Sequence, residues 1–173
     1  MRSQSILGKI AVALIVLGAS TSVAVAMADR QVWPRSAWHQ DHYRAVAEYL
    51  LLHTKPDARL LVWGNSPEIY LYAHRRMASR YMSVNYQTGH VWGTSANDLG
   101  GDPDRRNVPA ESWNNLMADL LNNLPEFIVD AAAGKLDKMD DEPIARHLRM
   151  ATFVAEHYRL EETVMGVPLY RRK

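Results

Sequence analysis

The sequence predicts an α/β fold: a small three-layer, Rossmann-like domain with a mostly parallel sheet and a C-terminal antiparallel hairpin, preceded by one transmembrane helix. Three observations predict it. Short apolar runs alternate with stretches of helical periodicity, a pattern typical of parallel strands joined by helices. The last fifteen or so residues contain two strand-like runs around a glycine, which indicates a hairpin. The first thirty residues include a long run without charge.

The uncharged run, residues 10–28, has the length of a membrane span. Its 19 residues would form a helix of about 28 Å at roughly 1.5 Å per residue, close to a bilayer core of about 30 Å. Arg2 and Lys9 precede it, so the positive-inside rule places the N-terminus in the cytoplasm. A cleaved signal peptide is the alternative, because Ala26-Met27-Ala28 matches an A-x-A cleavage pattern.

Both interpretations export the rest of the chain. We therefore expect residues 1–30 to be a membrane anchor or signal segment and residues 31–173 to be one extracytoplasmic α/β domain. The expected location is the bacterial inner membrane, as a single-pass protein with a periplasmic C-terminal domain. Trp33 and Trp38 alternate with Arg30 and Arg35 just after the span, a composition that suits contact with lipid headgroups or packing on the domain.

The first half of the domain is predicted to contain two strands and two helices. Residues 39–54 carry apolar side chains at helical spacing. Residues 59–64, RLLVWG, form a short apolar run ended by glycine, as expected for a buried strand. Ser66 is placed to cap a helix that has Pro67 in its first position and runs to about Met77. Residues 79–83 are then expected to form the second strand.

The second half begins with residues 84–108, which show no periodicity and many Gly, Asn and Asp residues. A loop of this length tends to be functional. Helical periodicity resumes at residues 109–124, and residues 125–134 read as the third strand. A helix follows Pro143, and a hairpin turns at Met165-Gly166, with the last strand expected at a sheet edge.

Composition excludes several classes of site. The chain has no cysteine, so disulfides, thiolate metal sites and cysteine nucleophiles are absent. The net charge of +1 gives no basic surplus of the kind that nucleic-acid binding requires, and no nucleic-acid partner is expected. No cofactor is expected either, because the chain lacks a G-x-G-x-x-G fingerprint and a P-loop lysine.

Ligands of open α/β sheets bind beyond the carboxyl ends of the strands. Three segments are expected to meet there: the turn after the first strand, the long loop, and the end of the third strand. The turn lacks a G-x-S-x-G nucleophile motif, so a purely structural joint is the alternative to a binding role. The ligand-binding candidates at this edge are Asn65, Glu68, Arg80, His90 and Asp130.

The sequence leaves two roles undecided, that of Arg80 and that of the pair Asp102 and Asp104. Arg80 could hold a phosphate through its guanidinium or pair with an acidic side chain. Asp102 and Asp104 are weak candidates for a divalent cation, and an ordinary solvated turn is the alternative because Asp and Pro favour turns. No other metal site is predicted.

The pattern of strands and turns resembles a known family. The segments LLVWG, PEIY and SRY, then the spacing W-x-x-L-x-x-DL, P-x-FIVD and the final LYRR are similar to the C-terminal extracytoplasmic domain of bacterial integral-membrane glycosyltransferases. These resemble the dolichyl-phosphate-mannose protein mannosyltransferase family, family 39 with the GT-C fold. In such proteins a small periplasmic α/β domain follows the last transmembrane helix.

The resemblance implies a polyprenyl-phosphate-sugar donor, membrane lipid as a partner and a polytopic glycosyltransferase membrane portion. The family's catalytic acidic residues lie in its first extracytoplasmic loop, which has no counterpart in this sequence, so no catalytic residue is transferred. The expected function is therefore acceptor or partner positioning, as a split-off or accessory domain, with a sugar or lipid-phosphate ligand. The alternatives are a freestanding exported binding module for a small anionic or sugar ligand, and an independent enzyme.

Overall fold

The computed structural model describes residues 34–89, 108–109, 111–136 and 142–173. The predicted membrane segment at 10–28 lies outside these ranges, as do His90, Asp102 and Asp104. Within the described ranges, no helix combines the length and hydropathy needed to cross a membrane. Chain contacts divide the protein into two compact units, Met1–Trp38 and His39–Lys173. The sheet and the sites described below belong to the second unit.

The elements alternate as the sequence predicts, and the α/β class is confirmed. In chain order they are α1 (Pro34–His53), β1 (Arg59–Trp63), α2 (Glu68–Ala73), β2 (Arg76–Met77), α3 (Asn85–Thr88), α4 (Ser112–Asn123), β3 (Phe127–Asp130), a 3₁₀ turn (Ile144–Arg146), α5 (Leu148–His157), β4 (Tyr158–Val164) and β5 (Val167–Arg172).

The sheet is mixed and has the strand order β2-β1-β3-β5-β4. β1 runs parallel to both β2 and β3, whereas β5 runs antiparallel to β3 and β4. The predicted hairpin is confirmed, but half of the strand pairings are antiparallel, so the sheet is less parallel than predicted. The last strand is also not at the edge as expected, because β5 lies between β3 and β4.

Side-chain burial explains why β5 is internal and β4 is the edge. Val167 and Leu169 of β5 are fully buried, while β4 exposes most of its side chains, including Arg159 and Glu162. Charged side chains on an edge strand disfavour pairing with another chain.

Both faces of the sheet are covered by helices. On one face, Leu60 and Val62 pack in a core with side chains of α1 and α2. On the other face, Leu61 and Trp63 pack in a core with side chains of α4 and α5. A strand covered on both faces reads as a continuous apolar run rather than an alternating one, which is why LLVW was recognisable from the sequence.

The second strand lies earlier than predicted. The helix expected to reach Met77 ends at Ala73, and His74 follows with a left-handed φ of 51°. β2 then pairs Met77 with Leu60 of β1, and residues 79–83 form bends rather than a strand. This helix end could not be recognised from the sequence, because the left-handed position that ends a helix is usually marked by glycine and here it is a histidine.

β2 has only two residues and pairs only with the first two residues of β1. Further along β1, a tyrosine hydroxyl accepts a backbone hydrogen bond in place of a strand. The backbone N–H of Val62 donates to the hydroxyl oxygen of Tyr70 at 2.7 Å. Burial of this phenol raises the pKa of Tyr70, so the hydroxyl stays neutral.

The loop predicted to be structureless from residue 84 begins with a helical turn, α3, whose first residue follows Val84.

Candidate functional site

The turn after β1 brings the segment after β2 to the carboxyl edge of the sheet. Gly64 has a φ of 134°, a conformation that only glycine adopts readily. Its carbonyl accepts a hydrogen bond from the N–H of Val84 at 3.2 Å. Helix α2 begins one residue later than predicted, at Glu68 with Pro67 in the cap position, and the carbonyl of Ser66 accepts from the N–H of Ile69.

Asp130 ends β3 at this edge, as predicted, and its carboxylate holds backbone in place. Oδ1 accepts from the N–H of Ala133 at 3.0 Å, and Oδ2 accepts from the N–H of Ile144 at 3.0 Å. The residue is 2% exposed. Both carboxylate oxygens therefore join the turn after β3 to the start of the 3₁₀ turn, a structural role for a residue predicted to contact ligand.

An aromatic group lies beside Asp130, at the end of β1. Trp63 pairs with Asp130 in the register of the sheet, and its indole N–H donates to the carbonyl of Glu142 at 2.8 Å. Its ring centroid lies 5.9 Å from that of Trp113 and 5.1 Å from that of His147. The rings of Trp113 and His147 are 5.7 Å apart, so the three rings contact one another.

Charged side chains surround this aromatic group. Nε2 of His147 lies 2.9 Å from Oε2 of Glu142, which is buried. This distance is within the range of an ion pair, and Nε2 forms no hydrogen bond with the described part of the chain. The guanidinium of Arg149 stands 5.8 Å from the Trp113 ring and donates to Asn114.

Two buried polar side chains lie near the start of α4, where Trp113 is the second residue. Gln87 and Ser112 are 3% and 2% exposed, and Nε2 of Gln87 donates to the backbone carbonyl of Ser112 at 3.2 Å. Within the described residues, Oε1 of Gln87 and Oγ of Ser112 accept no hydrogen bond. The same holds for the buried Oε2 of Glu68 and Oδ1 of Asn85. A buried polar atom without a partner costs about 1 to 3 kcal/mol, so each of these oxygens is a candidate acceptor for a hydrogen bond from a bound water or ligand.

We call Trp63, Gln87, Ser112, Trp113 and His147 the carboxyl-edge cluster. Among the described residues it combines aromatic rings with unused hydrogen-bond acceptors, the composition typical of small-ligand pockets. Nothing in the spacing of these five residues indicated the cluster, because they come from four separate segments that only the fold brings together.

The structure places the sequence-predicted candidates differently. Asn65 is half-buried in the turn after β1, and Glu68 is half-buried in the first turn of α2. Asp130 is structural, and Arg80 forms an ion pair. His90, Asp102 and Asp104 lie outside the described residues. Trp113 is half-buried and packs against the core on the α4 and α5 face of the sheet, with its ring beside Trp63.

Arg80 lies on the surface in the bends after β2 and binds Asp119 of α4. Its Nε and one terminal nitrogen donate to the two carboxylate oxygens at 2.9 and 2.8 Å, and its backbone N–H donates to Oδ2 at 2.9 Å. The side-chain hydrogen bond from Arg80 is the main cause that lowers the pKa of Asp119 below its ordinary value of 3.8. Of the two roles considered for Arg80 from the sequence, pairing with an acidic side chain is the one that agrees with these contacts.

We expect Asp119→Ala to lower the melting temperature more than Arg80→Ala, because only the former also removes the acceptor of the Arg80 backbone N–H. The cost of Asp119→Ala should be about 1 kcal/mol, the upper end of the usual range for a bidentate pair in which one partner is exposed. Since the folded-state pKa is depressed, this contribution is present above the unfolded-state pKa and is lost as pH falls through the folded-state pKa. Melting curves at pH 7 and pH 2 of both variants measure it, and equal losses at the two pH values would contradict it.

No family model, no curated protein and no solved structure matches this chain.

Proposed function

We propose that this chain is the extracytoplasmic domain of, or an accessory to, a polyprenyl-phosphate-sugar-dependent membrane glycosyltransferase, and that it binds and positions a carbohydrate-bearing acceptor rather than catalysing transfer. The carboxyl-edge cluster is the observation that carries this proposal. Sugar hydroxyls supply the hydrogen-bond donors that the unpartnered oxygens of Gln87 and Ser112 lack. Tryptophan rings provide the apolar surface that such ligands stack on.

The membrane part of the proposal rests on the sequence. Residues 10–28 are uncharged and are preceded by Arg2 and Lys9, the pattern of a single-pass protein whose C-terminal domain is periplasmic. The proposed domain is Rossmann-like, with the helical layers described above on either face of the sheet. The resemblance in LLVWG, PEIY and FIVD suggests the class of partner, a polytopic glycosyltransferase membrane portion, with membrane lipid around it.

The contacts of Asp130 and Arg80 are consistent with a positioning role for the domain. Asp130 holds two backbone N–H groups, and Arg80 holds Asp119. These two side chains contribute to stability at the edge where a ligand would bind. The cluster beside Asp130 offers acceptors and aromatic surface, which suit binding and orientation of a hydroxyl-rich molecule.

The second candidate function is a freestanding exported module that binds a sugar. The same cluster favours it, since binding of a hydroxyl-rich ligand requires no membrane partner. The two candidates differ in one measurable respect: a positioning domain raises the rate of sugar transfer when added to the membrane portion, whereas a freestanding module leaves that rate unchanged.

The binding step is tested with the Ser112→Ala variant. We expect about five- to tenfold weaker binding of the best ligand among a panel of methyl hexosides, the loss of one hydrogen bond. The melting temperature should stay equal or rise, because the substitution removes a buried oxygen that has no partner. Isothermal titration of the full chain in a polyoxyethylene detergent measures the affinity, since maltoside detergents carry sugar themselves.

The matched control is Thr152→Ala, which removes an exposed hydroxyl from α5 and should leave the affinity unchanged. If sugar binding saturates but its affinity is the same in the Ser112→Ala variant, the assignment of the cluster as the binding site is contradicted. Transfer of sugar from a polyprenyl-phosphate donor by the chain alone would contradict the positioning role.

A further inference from the structure

A cleft of about 520 Å³ lies at the amino ends of β1 and β3, at the edge of the sheet opposite Trp63 and Asp130. The turns that lead into β1 and β3 form two of its walls. The end of β5 forms another, because β5 runs antiparallel to β3 and carries its last residues back to this edge. The backbone N–H of Arg172 donates to the carbonyl of Glu126 at 3.1 Å, which fixes that wall.

The side chains that line this cleft are predominantly basic. Two carboxylates, those of Asp57 and Glu126, face a larger number of cations, so the lining has a positive surplus although the whole chain is close to neutral. The basic lining residues are Lys55, Arg59, Arg171, Arg172 and Lys173.

Two of these cations are already occupied. Arg171 pairs with Glu161 at 3.1 Å and with Glu126 at 3.5 Å, and its guanidinium stands over the ring of Phe127. The side-chain hydrogen bond from Arg171 is the main cause that lowers the pKa of Glu161. Lys173 donates to the carbonyls of Ala155 and Glu156 near the end of α5.

The other three cations keep their charge uncompensated, as Lys173 does, but they are held by fewer contacts. Arg172 donates to the carbonyl of Leu124 at 2.8 Å, and Arg59 donates to that of Met77 at 3.2 Å. A carbonyl orients a guanidinium without neutralising it, and each of these two contacts uses one terminal nitrogen. Among the described residues, no carboxylate lies within ion-pair distance of Arg59, Arg172 or Lys55.

We propose that this cleft binds a phosphate group, presented either by a lipid headgroup or by a soluble phosphate compound. A phosphate carries up to two negative charges and several acceptor oxygens, and guanidinium groups bind it through paired N–H donors. Arg59 supplies such donors from β1 and Arg172 from β5, and Lys55 supplies a point charge. The volume lies within the range of about 300 to 1,000 Å³ that is typical of small-ligand sites.

The site is separate from the carboxyl-edge cluster and does not depend on it. One edge of the sheet would bind neutral hydroxyl groups and the other an anion. Failure of sugar binding at Ser112 therefore leaves the phosphate proposal standing, and the reverse also holds.

The test uses the full chain in a polyoxyethylene detergent with two probes. Inorganic pyrophosphate represents the soluble source, and water-soluble dihexanoyl phosphatidic acid represents the lipid source. We expect at least one of them to bind with a Kd below about 1 mM in low salt. Lys55→Gln and Arg172→Gln should each weaken binding about fivefold, and the double variant about 25-fold.

Both side chains are exposed, so these variants should keep their melting temperature. The matched controls are Lys135→Gln and Arg44→Gln, which remove the same charges from exposed positions outside the lining of the cleft and should change the affinity less than twofold at 0.15 M salt. Tighter binding of phosphatidic acid than of pyrophosphate assigns the lipid headgroup, and the opposite order assigns a soluble compound. Binding of neither probe, or equal losses in the cleft and control variants, would overturn the proposal.

Discussion

Replacing Asp130 with alanine is expected to lower the free energy of unfolding by about 3 to 5 kcal/mol. The carboxylate accepts from the N–H groups of Ala133 and Ile144, and the residue is 2% exposed. Each buried donor left without a partner costs about 1 to 3 kcal/mol. The melting temperature of the full chain should fall by about 10 °C, on the scale of roughly 2 to 4 °C per kcal/mol for a chain of this size.

Asp130→Asn separates this structural role from a ligand-binding one. Asparagine keeps one carbonyl acceptor but turns an N–H group towards the second donor, so about half of the loss should remain. If Asp130 served the ligand instead, both variants would abolish binding while the melting temperature stayed near that of the parent chain. Circular dichroism melting curves, together with the sugar titration, distinguish the two outcomes.

Arg75→Ala is expected to cost about 2 to 4 kcal/mol, the second largest effect. Arg75 is 8% exposed, and its guanidinium donates five hydrogen bonds. Four of them go to backbone carbonyls at the ends of α1 and α2, and the fifth goes to the hydroxyl of Thr54. A cation at a helix C-terminus also interacts favourably with the helix dipole, and here one guanidinium serves two helices.

Arg75→Lys tests whether the geometry or the charge matters. Lysine keeps the charge but has three donors on one nitrogen, so it cannot reach all five acceptors, and we expect it to recover less than half of the loss. The neighbouring Arg76→Ala is the matched control, because Arg76 is exposed on β2 and should change the melting temperature by less than about 2 °C. Equal effects at both arginines would contradict the assignment.

The elements that were predicted correctly are those with a strong local signal. β1 and β3 are buried on both faces and read as continuous apolar runs. The hairpin of β4 and β5 was marked by Gly166, which has a φ of 83°. β2 was misplaced because two residues carry too little periodicity to be recognised, and because the helix before it ends on His74 rather than on glycine.

The ligand-binding role of the candidate residues stays a prediction. Asn65 and Glu68 follow β1, and Asp130 ends β3, so all three are placed at the edge where these parallel strands present their carboxyl ends. The sequence could not show that Asp130 is committed to backbone N–H groups, or that Gln87 and Ser112 are buried with unused oxygens. Hydrogen-bond partners between distant segments follow from tertiary packing, and residue type alone does not specify them.

The sequence by itself determined the α/β class, the order of its main elements and the uncharged N-terminal run, because hydrophobic periodicity and charge are local properties of the chain. Only the tertiary structure decided which strands are neighbours. By inserting β5 between β3 and β4 it brought Arg171 and Arg172 into the lining of the same cleft as Arg59. It likewise brought Trp63 and Trp113 into contact across 50 residues of chain. Such contacts depend on burial shared between segments far apart in sequence, and no single segment encodes them.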